Sequence, residues 1–473
     1  MAKQEHREDI SLAGALTALG GILAILAGGT LTFGIHIAVL LALCGVFTTG
    51  LFRLKYGFGW RLLFIDGVLP MVSRASGALG ILLSVGPLIA AWTLSGTIPY
   101  LVFTGLDILT PRIFLPAAFL LCSFASLLTG TSWGTAATFG VALTAIAGGL
   151  GIPAAAAAGA IVGGAYFGDK LSPVSDTTVL AAAVAEVDIM DHIRSTLWTT
   201  LPGAALSVAV YAAAGSGPGG AMDNAGIGAM TSALSGRFFL GPVLLLPPLV
   251  LLVMAWKRFP TLAALWTSVG LALPLALFQG YGPGEILAAM AAGPRVATGN
   301  PAVDELLGRG GLLFLAGVVA VVCAAYVFAG QLEATGTFRR VSSLLRKKFI
   351  GRSRGRFVLS ASLTGMTVAV ATGNSYLSEI LPGTMFRRLA DEMDISRRVL
   401  SRTLEDSGTV VVPLVPWSAA AVYMSSVLGV SAWEYFPWAV ICYSGVPAAW
   451  LLAFSGIALW PSDRREEKKR PGR

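Results

Sequence analysis

Apolar residues run along this chain in long unbroken blocks, not in the three-and-four spacing of a helix that lies half in water. Stretches such as 11–29, 35–51, 240–256 and 311–330 each come close to the ~20 apolar residues that a helix needs to cross a bilayer core. The blocks predict spans near 11–29, 33–51, 77–95, 113–129, 133–150, 152–167, 194–214, 237–256, 260–279, 309–330, 356–373, 408–428 and 433–460. Residues 56–75 and 283–295 are amphipathic and are expected to lie at the membrane interface. The two-residue alternation of a membrane barrel is missing from these blocks. The fold class expected is therefore all-α, a polytopic membrane protein of about 11–13 transmembrane segments.

Composition strengthens this picture. Of 473 residues, 55% are hydrophobic and 12% charged, against a usual charged share of about 25%, too little to cover a water-exposed surface. Mean hydropathy is +0.76. The 57 glycines suit helices that pack closely and break locally. The polar start, Met1 to Asp9, has no small-residue cleavage site after it, so 11–29 reads as a first span and not as a removed leader. Cys44, Cys122, Cys323 and Cys442 stand singly in apolar runs, as buried small hydrophobes do, and not as disulfides or metal ligands.

The net charge of +8 is not a nucleic-acid footprint. Basic residues collect at Arg53, Lys55 and Arg61, at Arg339 and Arg340, from Arg346 to Arg356, and from Arg464 to Arg473. Such loops face the cytoplasm by the positive-inside tendency and lean on anionic lipid, which puts both termini on the cytoplasmic side of the cell membrane. Residues 216–236, rich in Gly, Ala, Ser and Met, read as a linker between a first half, 1–215, and a second, 237–461, followed by a basic tail, 462–473.

The halves echo one another. Thr129-Gly130-Thr131-Ser132 has a counterpart in Thr372-Gly373-Asn374-Ser375, and each is followed, some 34–40 residues on, by a carboxylate with Ser, Thr and Pro. In the first half this is Gly168-Asp169-Lys170-Leu171-Ser172-Pro173, and in the second Glu405-Asp406-Ser407-Gly408-Thr409 with Pro413. Paired polar interruptions at matching places in two halves point to the binding site of a transporter.

An ionisable side chain at mid-membrane costs ~2.5–3.5 kcal/mol on insertion scales, so Asp169, Lys170 and Asp176 demand a reason. Pro173 breaks the helix and frees carbonyls, which is tolerated at depth only inside protein or beside water. A carboxylate with Ser172, Ser175, Thr177 and Thr178 and freed carbonyls is a donor set for a hard cation such as Na⁺. The plainer alternative is a loop in which Asp169 pairs with Lys170. Thr131 and Ser132, and Asn374 opposite them, add oxygens at glycine-permitted turns, although such hydroxyls commonly bond their own helix. In the stretch from Ser401 to Ser418, Arg402 and Glu405 stand at i and i+3 and could form a structural ion pair. On that view Glu405 is the structural acid and Asp406 faces the site.

The remaining candidates are read more plainly. His36 is expected as a satisfied interior histidine, and His192 as part of a solvated helix start with Asp188, Asp191 and Arg194. Glu333 and Glu379 border spans, and Trp417, Trp433, Trp438 and Trp460 belong to an interfacial belt. Gly308-Arg309-Gly310-Gly311 lacks the Lys-Ser/Thr of a phosphate cradle, so no nucleotide motor is expected and coupling must come from a gradient. No cofactor is expected, and no enzyme, because neither a nucleophile–base pair nor a zinc-ligand cluster stands out.

Thr129 to Thr135, the string Phe167 to Thr178, and Leu400 to Thr409 with Pro416-Trp417, Leu428-Gly429-Val430, Glu434-Tyr435 and Pro437 resemble the signature segments of NhaC-type Na⁺/H⁺ antiporters. The resemblance covers nearly the whole chain in the correct order. It implies two inverted-topology repeats with broken or re-entrant helices, and in many members dimers. It implies Na⁺ or Li⁺ exchanged for H⁺, one branch coupling this to malate and lactate exchange. Carried over residue by residue, it nominates Asp169, Ser172, Ser175, Asp176, Thr177, Thr178, Thr131, Ser132, Glu405, Asp406 and Thr409, with Asn374, Lys170 and Arg402 beside them. The Na⁺ site itself would be Asp169, Ser172 and Thr131. Exchange would run by alternating access, with cation and proton competing for Asp169. A coupled exchanger of organic anions or amino acids is the alternative, with Lys170 or Arg402 as the cationic anchor. The sequence departs from the family pattern at Val179, Ser418 and Cys442, where amides are common, which bears on the coupled ion.

Overall fold

The computed structural model describes residues 10–74, 76–215, 224–257, 259–341 and 353–462. Among these residues the chain is helical and holds no strand. Much of the basic loop from Arg346, the polar start and nearly all of the basic tail lie outside the described residues. Among the described residues six helices are long and apolar enough to cross a membrane: Leu12–Thr30, Ile37–Lys55, Pro111–Thr129, Ile189–Gly215, Thr261–Phe278 and Leu312–Ala334. Four further pairs are bent by more than 40° at a short break, which brings the number to as many as 10. Breaks were expected; 77–95, however, is only half of a bent span that turns by 69° into Thr97–Ile108.

Polar residues account for the elements that the apolar blocks do not mark. Ser375–Glu392 is a full helix whose Glu379, Arg387, Arg388, Asp391 and Glu392 hide it from a hydropathy reading. Arg397–Leu404 continues into a wide π turn, Glu405–Thr409, ahead of Ala419–Leu428. The described part of the stretch read as linker, residues 224–236, lies in a helix, Asn224–Arg237. The segment 61–74, expected to lie at the interface, packs on Leu312–Ala334, where Gly67 and Gly330 bring the backbones so close that a Cβ on Gly67 would stand 2.8 Å from the Gly330 carbonyl oxygen.

Two helices build the frame of the site. Ala154–Leu171 lies against Pro111–Thr129, and its glycines make the contact: a Cβ on Gly164 would come within 2.3 Å of the Phe119 carbonyl oxygen, and one on Gly168 within 2.1 Å of that of Ser123. The helix therefore runs on past residue 167, where the apolar reading ends it. Asp169 and Lys170 sit in its last turn, and the break begins at Ser172.

Candidate functional site

Each half of the chain contributes a helical hairpin whose tip crosses a broken helix. In the first, Pro111–Thr129 ends at Gly130 in the left-handed conformation (φ 66°), Thr131 caps the next helix by accepting from the Gly134 amide at 3.2 Å, and the chain returns through 132–149. In the second, Arg354–Thr372 ends at left-handed Gly373 (φ 61°), and Asn374 caps Ser375–Glu392 by accepting from the Leu377 amide at 3.0 Å. Both glycines are needed twice over. Each adopts a conformation that costs an L-residue roughly 1–2 kcal/mol. Each is also pressed onto the N-cap of the opposing break: a Cβ on Gly130 would lie 3.0 Å from the Ser175 nitrogen, and one on Gly373 2.6 Å from the Ser418 Cα. Ser175 and Ser418 in turn cap Asp176–Ala185 and Ala419–Leu428.

Where the two units meet they enclose a cavity of about 230 Å³. Thr131, Ser132, Trp133, Asp169, Asp176 and Thr177 line it from the first half, and Asn374, Ser375, Tyr376, Val412, Ala419 and Ala420 from the second. These residues pair off at one constant separation in sequence, the separation of Gly130 from Gly373, so that Asp169 answers to Val412, Asp176 to Ala419 and Thr177 to Ala420. Tyr166 and Thr409 complete the same set. The internal similarity is therefore real at the hairpins, but Glu405 and Asp406 are not the counterparts of Asp169. They precede that register by a turn or more, as they must if Pro416 answers to Pro173 and Ser418 to Ser175.

Asp169 is 5% exposed. Its Oδ2 accepts from the Ser132 amide at 3.2 Å, at the N-terminus of the returning hairpin helix, where the helix dipole favours an anion. Its Oδ1 has no partner among the described residues. Asp176 is exposed to the cavity and accepts from the Thr177 amide at 2.9 Å and from the Tyr376 hydroxyl, which ties the two halves together. Thr177 lies 3.1 Å from the Ser175 hydroxyl. Trp133 stacks on Tyr423, ring centroids 4.5 Å apart, and its carbonyl accepts from the Tyr423 hydroxyl at 2.8 Å.

Other nominated hydroxyls hold the break together and do not line the cavity. Ser172 donates to the Leu127 carbonyl at 2.9 Å, and Thr178 to that of Asp169 at 3.1 Å. The donors that reach the cavity beside Asp169 are thus Thr131 and Ser132, together with Asp176 and Thr177, and not Ser172.

Lys170 turns away from Asp169. It pairs with Asp406, whose Oδ1 also accepts from Thr199 at 3.2 Å. Arg402 is fully buried but makes no ion pair with Glu405; it donates to the carbonyls of Ser195 and Ala458 at 3.4 Å and lies over the Trp460 ring. Neither cation lines the cavity, and among the described residues no lysine or arginine does. Glu405 faces His192 at 3.6 Å, so His192 belongs to the interior and not to a solvated helix start. Glu379 is buried as well and accepts from the cavity residue Thr409. These two were the residues that sequence reasoning passed over, and the one signal for Glu379 was its place five residues after Asn374. His36 reverses the expectation: it is exposed and caps Ile37–Gly50. Trp417 is buried, its Nε1 donating to the Val370 carbonyl at 2.6 Å. Val179, Ser418 and Cys442 do not line the cavity.

A bundle of apolar and broken helices around a buried, acid-bearing cavity defines a multi-pass membrane protein with the layout of a transporter. Residues 164–457 match the Na⁺/H⁺ antiporter family, and the chain belongs to that family. It is 36% identical over 382 residues to the Na⁺/H⁺ antiporter NhaC of Alkalihalophilus pseudofirmus (80% of this chain, 82% of that one). It is 35% identical over 462 residues to the arginine/ornithine antiporter ArcD of Halobacterium salinarum (97% and 94%). With the malate-2H⁺/Na⁺-lactate antiporter of Bacillus subtilis it shares 33% over 416 residues (88% of each). Among solved structures, Neisseria gonorrhoeae MtrF aligns with a TM-score of 0.39 at 12% identity, covering 92% of this chain and 97% of that one.

Proposed function

We propose that the chain is a secondary active antiporter of the cell membrane that exchanges Na⁺ or Li⁺ for H⁺, with both ions competing for Asp169. One observation carries this reading: a buried carboxylate, one oxygen of which has no partner among the described residues, opens on a cavity between the two halves that no described basic side chain lines. A hard cation takes oxygen ligands, and the Asp169 carboxylate with the oxygens of Thr131, Ser132, Asp176 and Thr177 is such a set. A proton on Asp169 removes the charge that the cation needs, so one carboxylate serves the two ions in turn. The matched hairpins support alternating access, because two equivalent units around one cavity can rock to open it on either side.

A second reading takes support from the cavity's size, which exceeds what one bare ion fills, and from the arginine/ornithine antiporter's coverage of this chain. An amino acid with a cationic side chain would meet Asp169 and Asp176, whereas a dicarboxylate would meet acids and no cation. Dye-reported proton movement in everted vesicles, scanned over Na⁺, Li⁺, K⁺, cationic amino acids and dicarboxylates, separates these cargoes. The first reading expects Na⁺- or Li⁺-dependent proton movement that Asp169→Asn abolishes. If Asp169→Asn kept that movement, the assignment of Asp169 would be wrong.

A further inference from the structure

Behind the cavity lies a second group of ionisable side chains that the exchange at Asp169 leaves unused. Glu379, Glu405 and His192 are fully buried. Glu379 comes from Ser375–Glu392 and packs against the π turn of Glu405: a Cβ on Gly408 would lie 3.1 Å from the Glu379 Cγ. Its Oε1 accepts from Thr409, whose other side lines the cavity, and its Oε2 has no partner among the described residues. Among the described residues both oxygens of Glu405 and both ring nitrogens of His192 also lack hydrogen bonds, with His192 Nε2 and Glu405 Oε2 3.6 Å apart. A buried polar group left unsatisfied costs about 1–3 kcal/mol, and several in one place call for a proton, an ion or water.

Charge counting decides among these. Among the described residues four carboxylates are buried, Asp169, Glu379, Glu405 and Asp406, against two permanent cations, Lys170 and Arg402. Lys170 neutralises Asp406. Asp169 takes the cargo cation or its proton. Arg402, which acts on Asp406 from its place by Trp460, can offset one more charge at most, so the pair Glu379 and Glu405 is left with a surplus negative charge. The charges that bear on Glu379 are those of Glu405, Asp176 and Asp169, and those that bear on Glu405 are Lys170, Asp169, Asp406 and Asp176. A full uncompensated charge in such a place costs several kcal/mol, and a proton removes it.

We propose that Glu379 and Glu405, with His192 beside them, form a second proton-binding site, distinct from the cation cavity and reached from it through Thr409. The proton rests on one carboxyl or the other, with His192 beside Glu405. Thr409, donating to Glu379 and lining the cavity, is the group through which that proton comes and goes. This inference rests on the antiport reading only for the route of the proton; the site itself follows from burial and charge.

Two measurements on the purified full chain test it. Infrared difference spectra between acid and alkaline pH should contain a protonated-carboxyl band that Glu379→Gln or Glu405→Gln removes and Asp169→Asn leaves in place. A band unchanged by both glutamine variants overturns the proposal whatever the cargo is. In proteoliposomes, Glu379→Gln should keep Na⁺/Na⁺ exchange within about twofold of wild type while pH-driven Na⁺ accumulation falls at least about tenfold, the difference expected when roughly 1.4 kcal/mol of proton coupling is lost. Asp169→Asn should lose both. Glu379→Gln with both activities intact, or with both lost from a protein whose thermal unfolding is unchanged, contradicts the proposal. A wild type that moves no Na⁺ would instead overturn the antiport reading and leave the infrared result to stand by itself.

Discussion

The wall of the cavity built from residues 131–177 and the wall built from 374–420 share a backbone plan and differ in what they carry. Both have a helix ended by a left-handed glycine, a polar N-cap and a serine-capped break pressed against that glycine. On the first wall the plan delivers Asp169, Asp176 and Thr177; on the second the same positions hold Val412, Ala419 and Ala420. Matching geometry in the two halves therefore does not mean two ion sites. On the proposed reading the shared frame serves movement and packing, and the charged side chains of the first wall hold the ligand. The acids of the second half, Glu405 and Asp406, lie deeper and are engaged with His192 and Lys170.

The largest effect should come from the ion pair that joins the walls asymmetrically. Lys170, whose counterpart is Pro413, pairs with Asp406 in the interior. Breaking a buried pair from one side leaves an uncompensated charge worth about 3–5 kcal/mol, so Lys170→Met and Asp406→Asn should each lower the thermal unfolding midpoint sharply. The double variant should recover much of that loss, since it leaves neither charge behind. Non-additive unfolding data on detergent-solubilised protein would establish the pair; simple additivity would break it.

A smaller, matched effect is expected at the hairpin tips. Gly130→Ala and Gly373→Ala each force a left-handed alanine against backbone of the opposing break, a penalty of about 2 kcal/mol or more in each half. Similar losses of stability in the two variants support one shared frame. A loss confined to Gly130 would mean that the second hairpin is a different structure. The smallest effect belongs to the caps. Ser175→Ala and Ser418→Ala should each cost about 1 kcal/mol, while Ser418→Asn should be neutral, because asparagine caps as well as serine. That last variant also asks whether the departure from the family pattern at Ser418 touches the ion, and an unchanged cation preference is expected.

Much of this was legible in the sequence because it depends on neighbours along the chain. An Asp after a run of Ala and Gly, closed by Ser-Pro, is costly wherever it lies in a membrane, and the structure places Asp169 beside the cavity. The turns at Gly130 and Gly373 could be read from Thr-Gly followed by a capping residue. What could not be read was pairing across long separations. Lys170 reads locally as the partner of Asp169, but the helix runs on to Leu171 and carries the lysine to the opposite side, toward Asp406. His192 and Glu379 look like residues at the ends of spans, because nothing nearby in sequence shows that Glu405 and Thr409 cover them. The helix Ser375–Glu392 escaped notice for a related reason: its charged end, Arg387 to Glu392, makes ion pairs with Glu186 and Arg397 instead of lying in lipid. Counting residues from the first carboxylate to the next gave the wrong register between the halves, which the glycines and caps correct.

The account turns on Asp169 as the group for which cation and proton compete, and the pH dependence of apparent Na⁺ affinity tests it most directly. Protonation removes the ligand charge, so affinity in proteoliposomes should weaken as pH falls, up to about tenfold per pH unit once the proton holds the site. Val412→Asn, on the other wall, should leave that dependence in place. Asp169→Asn should bind Na⁺ at least roughly a hundredfold more weakly, the loss of a charged ligand worth about 3 kcal/mol, and with a shallower dependence on pH than wild type. A wild-type affinity that does not change with pH, or an Asp169→Asn variant that keeps the wild-type slope, would contradict the account.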